Sequence, residues 1–306
     1  MSDLEKKYGA RAFEEGRRMQ PKTFDRRVEQ RDSLDQHFTK AWLDFAIAGV
    51  SARPALDTRT RLLVLAGQYT MAKSHGPLED TIVAALEVQV PAREVLEIIL
   101  QCVVYGGHTV VDPAIEVFHR VARSRGLLNE LRASQLPLDG HDRTRSYEEE
   151  QKQWHPDDQS DPRLPGLIER HGWLAVSRGL TLRPRHHLNI LSWLDTIDTQ
   201  FCDLWVKFCY GSMYARGVVD DKTRLLCMIG DCLAVGEETN ARGHMRGALR
   251  QGANPREVLE VIFQTAVNFG MPPMLAALEV FVEIMAEDKR LEEIGNPPVR
   301  VETFGK

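Results

Sequence analysis

Arginine and glutamate side chains occupy matching places in two similar stretches of this 306-residue sequence. Arg61 and Arg224 each lie in the letters TRLL, and Glu97 and Glu260 each end a REVLE segment. A guanidinium binds a carboxylate through two parallel hydrogen bonds, so both arginines are candidate substrate-binding residues for a carboxylate. A glutamic acid among apolar neighbours is expected to be partly buried, which suits a proton donor.

A structural role explains the same residues equally simply. Glu97 could form an ion pair with Arg93, four residues earlier on the same helix, and Glu260 could do so with Arg256. Arg61 and Arg224 could instead pair with those two glutamates inside the protein. Both interpretations place the arginines and the glutamates together.

Metal and dithiol chemistry find little support in the sequence. The five cysteines, Cys102, Cys202, Cys209, Cys227 and Cys232, form no CxxC pair, and the ten histidines are scattered. Cys227 and Cys232 are five residues apart on one predicted helix, so they point to different faces and are expected to be small core residues. We expect neither a disulfide framework nor a dedicated metal site.

The elements that must position these residues occur twice. With a shift of 163 positions, Phe38 to Phe118 aligns without a gap on Phe201 to Phe281, and TRLL, REVLE and a closing EVF recur in register. A spacing of this size far exceeds that of a solenoid repeat. The sequence therefore predicts two whole domains, 1–140 and 141–306, with a polar linker or surface excursion over about 126–165.

Each copy reads as successive helices, which predicts an all-α fold. Asp57 is a suitable N-cap for a segment whose apolar residues recur every three and four positions. Gly252 suits a left-handed helix end, whereas the first copy has Gln89 at that place. We expect Gln89 to tolerate about 1 kcal/mol of strain or to end its helix differently.

Charge and hydropathy exclude several classes of partner. The formal charge is −5 and the isoelectric point is about 6.1, without a concentrated basic patch that would indicate binding to nucleic acid or to an anionic membrane. No apolar run approaches the roughly 20 residues that span a bilayer, and the N-terminus lacks the apolar core of a signal peptide. We expect a cytoplasmic protein with a small-molecule partner.

The order RP-x-LD-x-x-TR-x-L, AL, E-x-x-E-x-x-LQ and VYGG, from Arg53 to Gly107, resembles the carboxymuconolactone decarboxylase family of the AhpD-like superfamily. The second copy fits from Arg216 to Gly270. The resemblance implies two tandem helical domains of this kind. In the peroxidase class of the superfamily, a CxxC dithiol precedes a histidine. Glu237 and Asn240 occupy those cysteine positions in the second copy, so dithiol peroxidase activity is disfavoured.

The decarboxylase class implies chemistry without metal or organic cofactor, because the substrate carries its own electron sink. His244 matches the family's histidine and is the candidate proton donor or shuttle, with Glu260, Glu97 and Tyr105 as further catalytic candidates. The first copy has Thr81 at the histidine position. Substrate-binding candidates besides the two arginines are Asn268, which replaces the tyrosine in the second copy, His75 and His108.

The first copy thus keeps the tyrosine without the histidine, and the second copy does the reverse. Each copy could form its own site, the two could share one, or one could be a scaffold. We predict a carboxy-lyase that acts on a small carboxylated lactone or a related intermediate of aromatic catabolism. The alternatives are an isomerase or lactone hydrolase on the same fold, or a non-catalytic binding or assembly protein. Because single-domain members form closed rings, a homotrimer with six domains is expected.

Overall fold

A computed structural model describes residues 2–138 and 146–295 of the chain, and in these ranges every regular element is a helix. The first half contains α1 to α10 in chain order: Asp3–Tyr8, Ala10–Met19, Phe24–Leu34, Gln36–Trp42, Thr58–Met71, His75–Glu87, Ala92–Gln101, Val103–Gly106, His108–Ser124 and Leu128–Ala133. The second half contains α11 to α20: Tyr147–Gln151, Pro156–Gln159, Leu164–His171, Trp173–Leu182, His187–Ile197, Thr199–Val206, Asp221–Leu233, Glu238–Arg250, Pro255–Phe269 and Met271–Glu287. The predicted all-α fold is confirmed.

Two π-helical segments interrupt the series at related places, Leu43–Ser51 after α4 and Lys207–Met213 after α16. A final 3₁₀ turn spans Leu291–Glu293. None of the helices in the described ranges is both long enough and apolar enough to cross a membrane.

The helices repeat at the spacing of 163 residues, and they do so beyond the stretch that aligns by sequence. Helices α5, α6 and α9 begin at residues 58, 75 and 108, and α17, α18 and α20 begin at 221, 238 and 271. The N-terminal helices α2 and α3 correspond in the same way to α14 and α15. Close helix contacts recur too, since a Cβ added at Gly16 or at its counterpart Gly179 would collide with the side chain of Phe24 or His187.

The two copies form one packed body. Helix α5 of the first copy lies against α17 of the second, and a single hydrophobic core cluster contains Leu62 and Ile98 together with Leu225 and Ile262. Apolar residues on both faces of α5 explain this, because one copy alone could not bury them all. The predicted boundary near residue 140 falls in 139–145, outside the described residues, and stays a prediction.

The sequence predicts a polar linker or surface excursion over residues 126–165, and after residue 145 most of the side chains are exposed while a few are buried against the second copy. Trp154 is buried and its indole N–H donates to Ser177 Oγ at 3.3 Å. Glu150 is also buried and accepts from Arg178 at 3.0 Å and from Thr181 at 2.8 Å. A few residues whose polar atoms find partners on α14 are thus enough to anchor a highly charged segment.

Helix ends follow the sequence rules at several places. Asp57 and its counterpart Asp220 are the N-caps of α5 and α17, each accepting from a backbone N–H at 2.9 Å. Gln89 adopts the left-handed conformation with φ 64°, and Gly252 does so with φ 84°. The first of the two expected outcomes, a strained glutamine at the helix end, is therefore what the structure contains.

Candidate active site

Tyr105 of the first copy and His244 of the second copy meet inside the protein. Tyr105 lies on α8 and His244 on α18, and the phenol hydroxyl is hydrogen-bonded to Nε2 of the imidazole. Their rings meet edge to face with centroids 5.7 Å apart. Of the three arrangements that the sequence left open, this contact corresponds to a site to which both copies contribute.

The His244 imidazole is fully buried, and burial lowers its pKa well below the usual value, assisted by the nearby positive charge of Arg183. Burial raises the pKa of the Tyr105 phenol well above its usual value, although Arg183 opposes this shift. At neutral pH both groups are therefore uncharged. In that state the Tyr105 hydroxyl donates a hydrogen bond to Nε2 of His244.

The equivalent position on the other side of the molecule has different chemistry. There Thr81 stands where the second copy has His244, and Asn268 stands where the first copy has Tyr105. Asn268 accepts a hydrogen bond of 2.5 Å from Tyr69. A cavity of about 30 Å³ lies beside them and is also lined by Gln20 and Arg27; we call it the Thr81 cavity. Burial raises the pKa of Tyr69 as it does that of Tyr105, but its partner Asn268 is an amide and, unlike His244, cannot accept a proton.

The four predicted arginines and glutamates form two buried ion pairs that cross between the copies. Arg224 donates to Glu97 at 2.9 Å, and Arg61 lies 3.5 Å from Glu260. All four residues are at most 2% exposed. Each glutamate also contacts a second arginine. Nε of Arg216 lies 2.9 Å from Glu97, and Nε of Arg53 lies 2.7 Å from Glu260.

These contacts agree with the structural alternative of arginine pairing with glutamate. The partners expected within the same helix are wrong, since Arg93 instead donates to the carbonyl of Leu131, and Glu97 is held by residues of the other copy. Removing one partner of such a buried pair leaves an uncompensated charge, so these residues stabilise the joined copies. Their predicted roles as clamps and acids remain predictions.

His75 and His108 lie at the surface. His75 is the first residue of α6 and is exposed. His108 begins α9, its side chain is 81% exposed, and its Nδ1 lies 3.6 Å from Asp112. Exposed side chains at helix starts do not form a water-excluded pocket, so their predicted substrate-binding roles gain no support from these positions.

Two functional candidates escaped the sequence interpretation. Arg183, the C-cap residue that follows α14, is only 5% exposed, and its Nη2 lies 3.4 Å from Asn240 Oδ1. Tyr210, on the second π-helical segment, lies close enough to Arg183 to influence its pKa. Extending the alignment of the two copies toward the N-terminus could have revealed Arg183. With the same shift of 163 residues, Arg183 of the second copy aligns with Gln20 of the first.

Aspartate 231 is a third buried group near the centre of the molecule. It lies on α17, its Oδ2 accepts from Gln101 at 3.0 Å, and its Oδ1 has no hydrogen-bond partner. Burial raises its pKa to about 8, so it is largely protonated at neutral pH. The first copy has the neutral Gln68 at the same position.

The cysteines occupy the interior. All five are buried and unpaired, and burial raises the pKa of Cys102, Cys227 and Cys232. A thiol with a raised pKa is a poor nucleophile. This agrees with the interpretation of Cys227 and Cys232 as core residues.

One group of side chains able to bind a metal ion lies elsewhere: ligand atoms of His171, Asp195 and Cys202 come within 4.8 Å of one another. Asp195 already pairs with a neighbouring arginine. At the corresponding positions the first copy has Tyr8 hydrogen-bonded to Asp32, which serves the same structural purpose without a metal ligand set. We interpret the group as a structural cluster, and the expected lack of a dedicated metal site stays a prediction.

One known family matches the second copy, and two known proteins are similar to part of the chain. Residues 199–283 match the sequence pattern of the Carboxymuconolactone decarboxylase family. A stretch of 95 residues is 37% identical to an "Uncharacterized 15.0 kDa protein in nqo9-nqo10 intergenic region" of Paracoccus denitrificans, covering 30% of this chain and 68% of that protein. A stretch of 106 residues is 26% identical to the 4-carboxymuconolactone decarboxylase of Acinetobacter baylyi, covering 35% of this chain and 79% of the relative. That the first copy is a further family member stays a prediction.

Proposed function

The chain belongs to the carboxymuconolactone decarboxylase family through residues 199–283, and we propose that it is a cofactor-independent carboxy-lyase for a small carboxylated lactone. The single observation that carries the proposal is the contact of Tyr105 with His244, because it joins an uncharged proton donor and an uncharged acceptor in a buried place. The likeness to a 4-carboxymuconolactone decarboxylase supports the reaction class.

In the proposed reaction the bond between the substrate carbon and its carboxylate breaks. The electron pair moves into the conjugated lactone carbonyl, carbon dioxide leaves, and the resulting enolate takes up a proton at carbon. Tyr105 is the proposed proton source, since its hydroxyl is positioned by the hydrogen bond that it donates to Nε2 of His244 and its phenolate form is favoured by the charge of Arg183. Solvent then restores the phenol.

One observation favours a second function on the same site. The pKa of His244 is lowered, so this residue is a neutral base at pH 7 and not a cationic acid. A neutral imidazole can remove a proton next to a lactone carbonyl, which would shift the double bond of the substrate. Isomerisation is therefore the alternative activity.

Turnover tests the proposal directly. Purified protein is mixed with carboxymuconolactone and related lactones, and ultraviolet absorbance and carbon dioxide release are followed. His244→Ala should lower turnover by a factor of about 100 to 10,000 if the imidazole takes part in proton transfer. Thr81→Ala, the matched change in the first copy, should have far less effect.

The products separate the possible outcomes. Loss of absorbance with release of carbon dioxide supports the lyase. Loss of absorbance without it supports the isomerase if the product has the mass of the substrate, and a lactone hydrolase if the product has gained one water. Full turnover in His244→Ala would show that the site assignment is wrong. No conversion of any lactone by the wild-type protein would contradict the proposed function and favour a binding or assembly role.

A further inference from the structure

Arg183 differs from the other buried arginines of the described residues in its partners. Four arginines are at most 5% exposed, and three of them have carboxylates close by. Arg178 pairs with Glu150, Arg224 with Glu97, and Arg61 with Glu260. Arg183 makes no ion pair with any acidic residue in the ranges that the structure describes.

The polar contacts of Arg183 leave its charge without compensation. Its polar partners are neutral: Asn240 Oδ1 lies 3.4 Å from Nη2, and the Tyr210 hydroxyl also accepts a hydrogen bond from the guanidinium. The Asn240 amide is itself bonded to Glu237 at 2.9 Å. The Nε atom of Arg183 is buried and has no partner. A buried guanidinium without a counter-charge is costly, so a ligand that brings a negative charge would be bound favourably here.

The groups around Arg183 point to the same kind of ligand. Arg183 influences the pKa of both Tyr105 and His244, so its charge acts on the hydrogen-bonded pair. The hydroxyl of Tyr214, which lies close enough to Tyr105 to influence its surroundings, is buried without a hydrogen-bond partner. Buried polar atoms that lack protein partners are those that water or a polar ligand satisfies.

A comparison of the two copies shows that this charge is specific to one side. The second copy has Arg183 and Gly243 where the first copy has Gln20 and Asp80. Asp80 is occupied, since it accepts from the backbone N–H of Lys22 at 2.9 Å and from the hydroxyl of Thr23. Next to its histidine, the second copy therefore has a cation that the first copy lacks and lacks the acid that the first copy has.

We propose that Arg183 binds the carboxylate of the substrate beside Tyr105 and His244, the role for which the sequence suggested Arg61 and Arg224. This inference rests on the proposed function for the identity of the ligand. Arg61 and Arg224 are already paired with glutamates, whereas Arg183 has no carboxylate partner among the described residues and its Nε has no hydrogen bond. A planar guanidinium binds a carboxylate through two parallel hydrogen bonds. The ligand class is a small planar carboxylate.

The experiment measures binding and does not depend on turnover. The probe is 2-furoate, a stable five-membered ring with a carboxylate, and 2-furamide is its uncharged control. Calorimetric titration of the full chain should give binding of 2-furoate and much weaker binding of 2-furamide. Arg183→Gln, which introduces the residue that the first copy has at this position, should weaken 2-furoate binding at least tenfold.

Two further variants keep the test decisive. Arg183→Lys keeps the charge without the fork of donors and should bind with intermediate affinity. Arg27→Gln removes the arginine of the Thr81 cavity and should leave binding unchanged. Loss of binding in Arg27→Gln together with unchanged binding in Arg183→Gln would overturn the proposal.

Thermal unfolding gives a second readout that a purely structural arginine would not produce. Without ligand, Arg183→Gln should be at least as stable as the wild type, because the uncompensated charge is gone, and 2-furoate should raise the melting temperature of the wild type alone. A large loss of stability without ligand would assign Arg183 a structural role and contradict the proposal.

Two outcomes distinguish this inference from the proposed function. If the protein turns over a lactone but Arg183→Gln binds 2-furoate as the wild type does, this inference alone is refuted. If 2-furoate binds through Arg183 but no lactone is turned over, the proposed reaction alone is refuted.

Discussion

The two halves of the molecule have similar backbones but different polar side chains at matching positions. Tyr105, His244 and Arg183 meet on one side, whereas the other side has Asn268, Thr81 and Gln20 at the corresponding positions. The first set includes a phenol, a basic imidazole and a cation, whereas the second set consists of a hydroxyl and two neutral amides. At the scale of residues, the groups that suit proton transfer and anion binding therefore lie at only one of the two related positions.

Asp231 gives a prediction on stability and pH. Its pKa is about 8 in the folded protein, above the ordinary value of 3.8, so the folded state holds a proton that the unfolded state releases above about pH 4. The folded state therefore loses stability as the pH rises from about 4 to 8. Asp231→Asn, which mimics the protonated acid, should be more stable than the wild type at pH 8, with a difference that shrinks toward pH 4.

Urea unfolding between pH 4.5 and 8.5 measures this difference. Asp203→Asn is the control, because Lys207 lowers the pKa of Asp203 and its charge does not oppose folding. The control should not gain stability at pH 8. A constant difference between Asp231→Asn and the wild type over the whole range would contradict the raised pKa.

The residues of the candidate site could be predicted only in part. His244 and Tyr105 follow from sequence positions, but their contact depends on how the two copies interlock, and one sequence does not contain that information. Arg183 was missed because it lies before Phe201, outside the stretch over which the two copies were aligned. The identical positions Arg61 and Arg224 form ion pairs with glutamates of the other copy. Tyr105, His244 and Arg183 lie instead at positions where the copies differ.

At the scale of elements, helix periodicity and capping residues predicted most of the architecture. Asp57 caps α5 as expected, and the helices repeat with the spacing of the sequence. The buried segment around Trp154 was not predicted, because its burial depends on contacts with Ser177 and Arg250 that are distant in sequence. The two π-helical segments also lack a local signal, although one of them places Tyr210 near Arg183.

The end of helix α6 gives a prediction for a single element. Gln89 adopts a left-handed conformation with φ 64°, which costs a residue with a Cβ about 1 kcal/mol. Gln89→Gly should therefore stabilise the protein by up to about 1 kcal/mol, reduced by the greater freedom of glycine in the unfolded chain. The reverse change at the matching place, Gly252→Ala, should destabilise it by a similar amount. Chemical denaturation measures both, and a loss of stability in Gln89→Gly would contradict the strain.

At the scale of the whole molecule, the cross-copy ion pairs and the shared core make the two copies one unit. This unit still exposes large apolar side chains at matching places. Leu34, Phe38 and Phe45 are 87%, 51% and 38% exposed, and the residues at the corresponding positions, Ile197, Phe201 and Phe208, are 62%, 56% and 47% exposed. Contiguous exposed apolar side chains are typical of surfaces that bind another protein.

We expect these two surfaces to join three chains into a closed ring. Each chain presents two related surfaces, and a contact between the first-copy surface of one chain and the second-copy surface of the next can close by rotation, so that no apolar surface is left exposed. Light scattering at micromolar concentration should therefore give the mass of a trimer, three times 34.7 kDa. Phe38→Glu or Phe201→Glu should dissociate it, because either change places a charge in the contact. Leu138→Glu is the control, since Leu138 is fully exposed and has no counterpart in the two surfaces. A monomeric wild-type protein, or a trimer that both phenylalanine variants leave intact, would show that these surfaces do not hold the chains together.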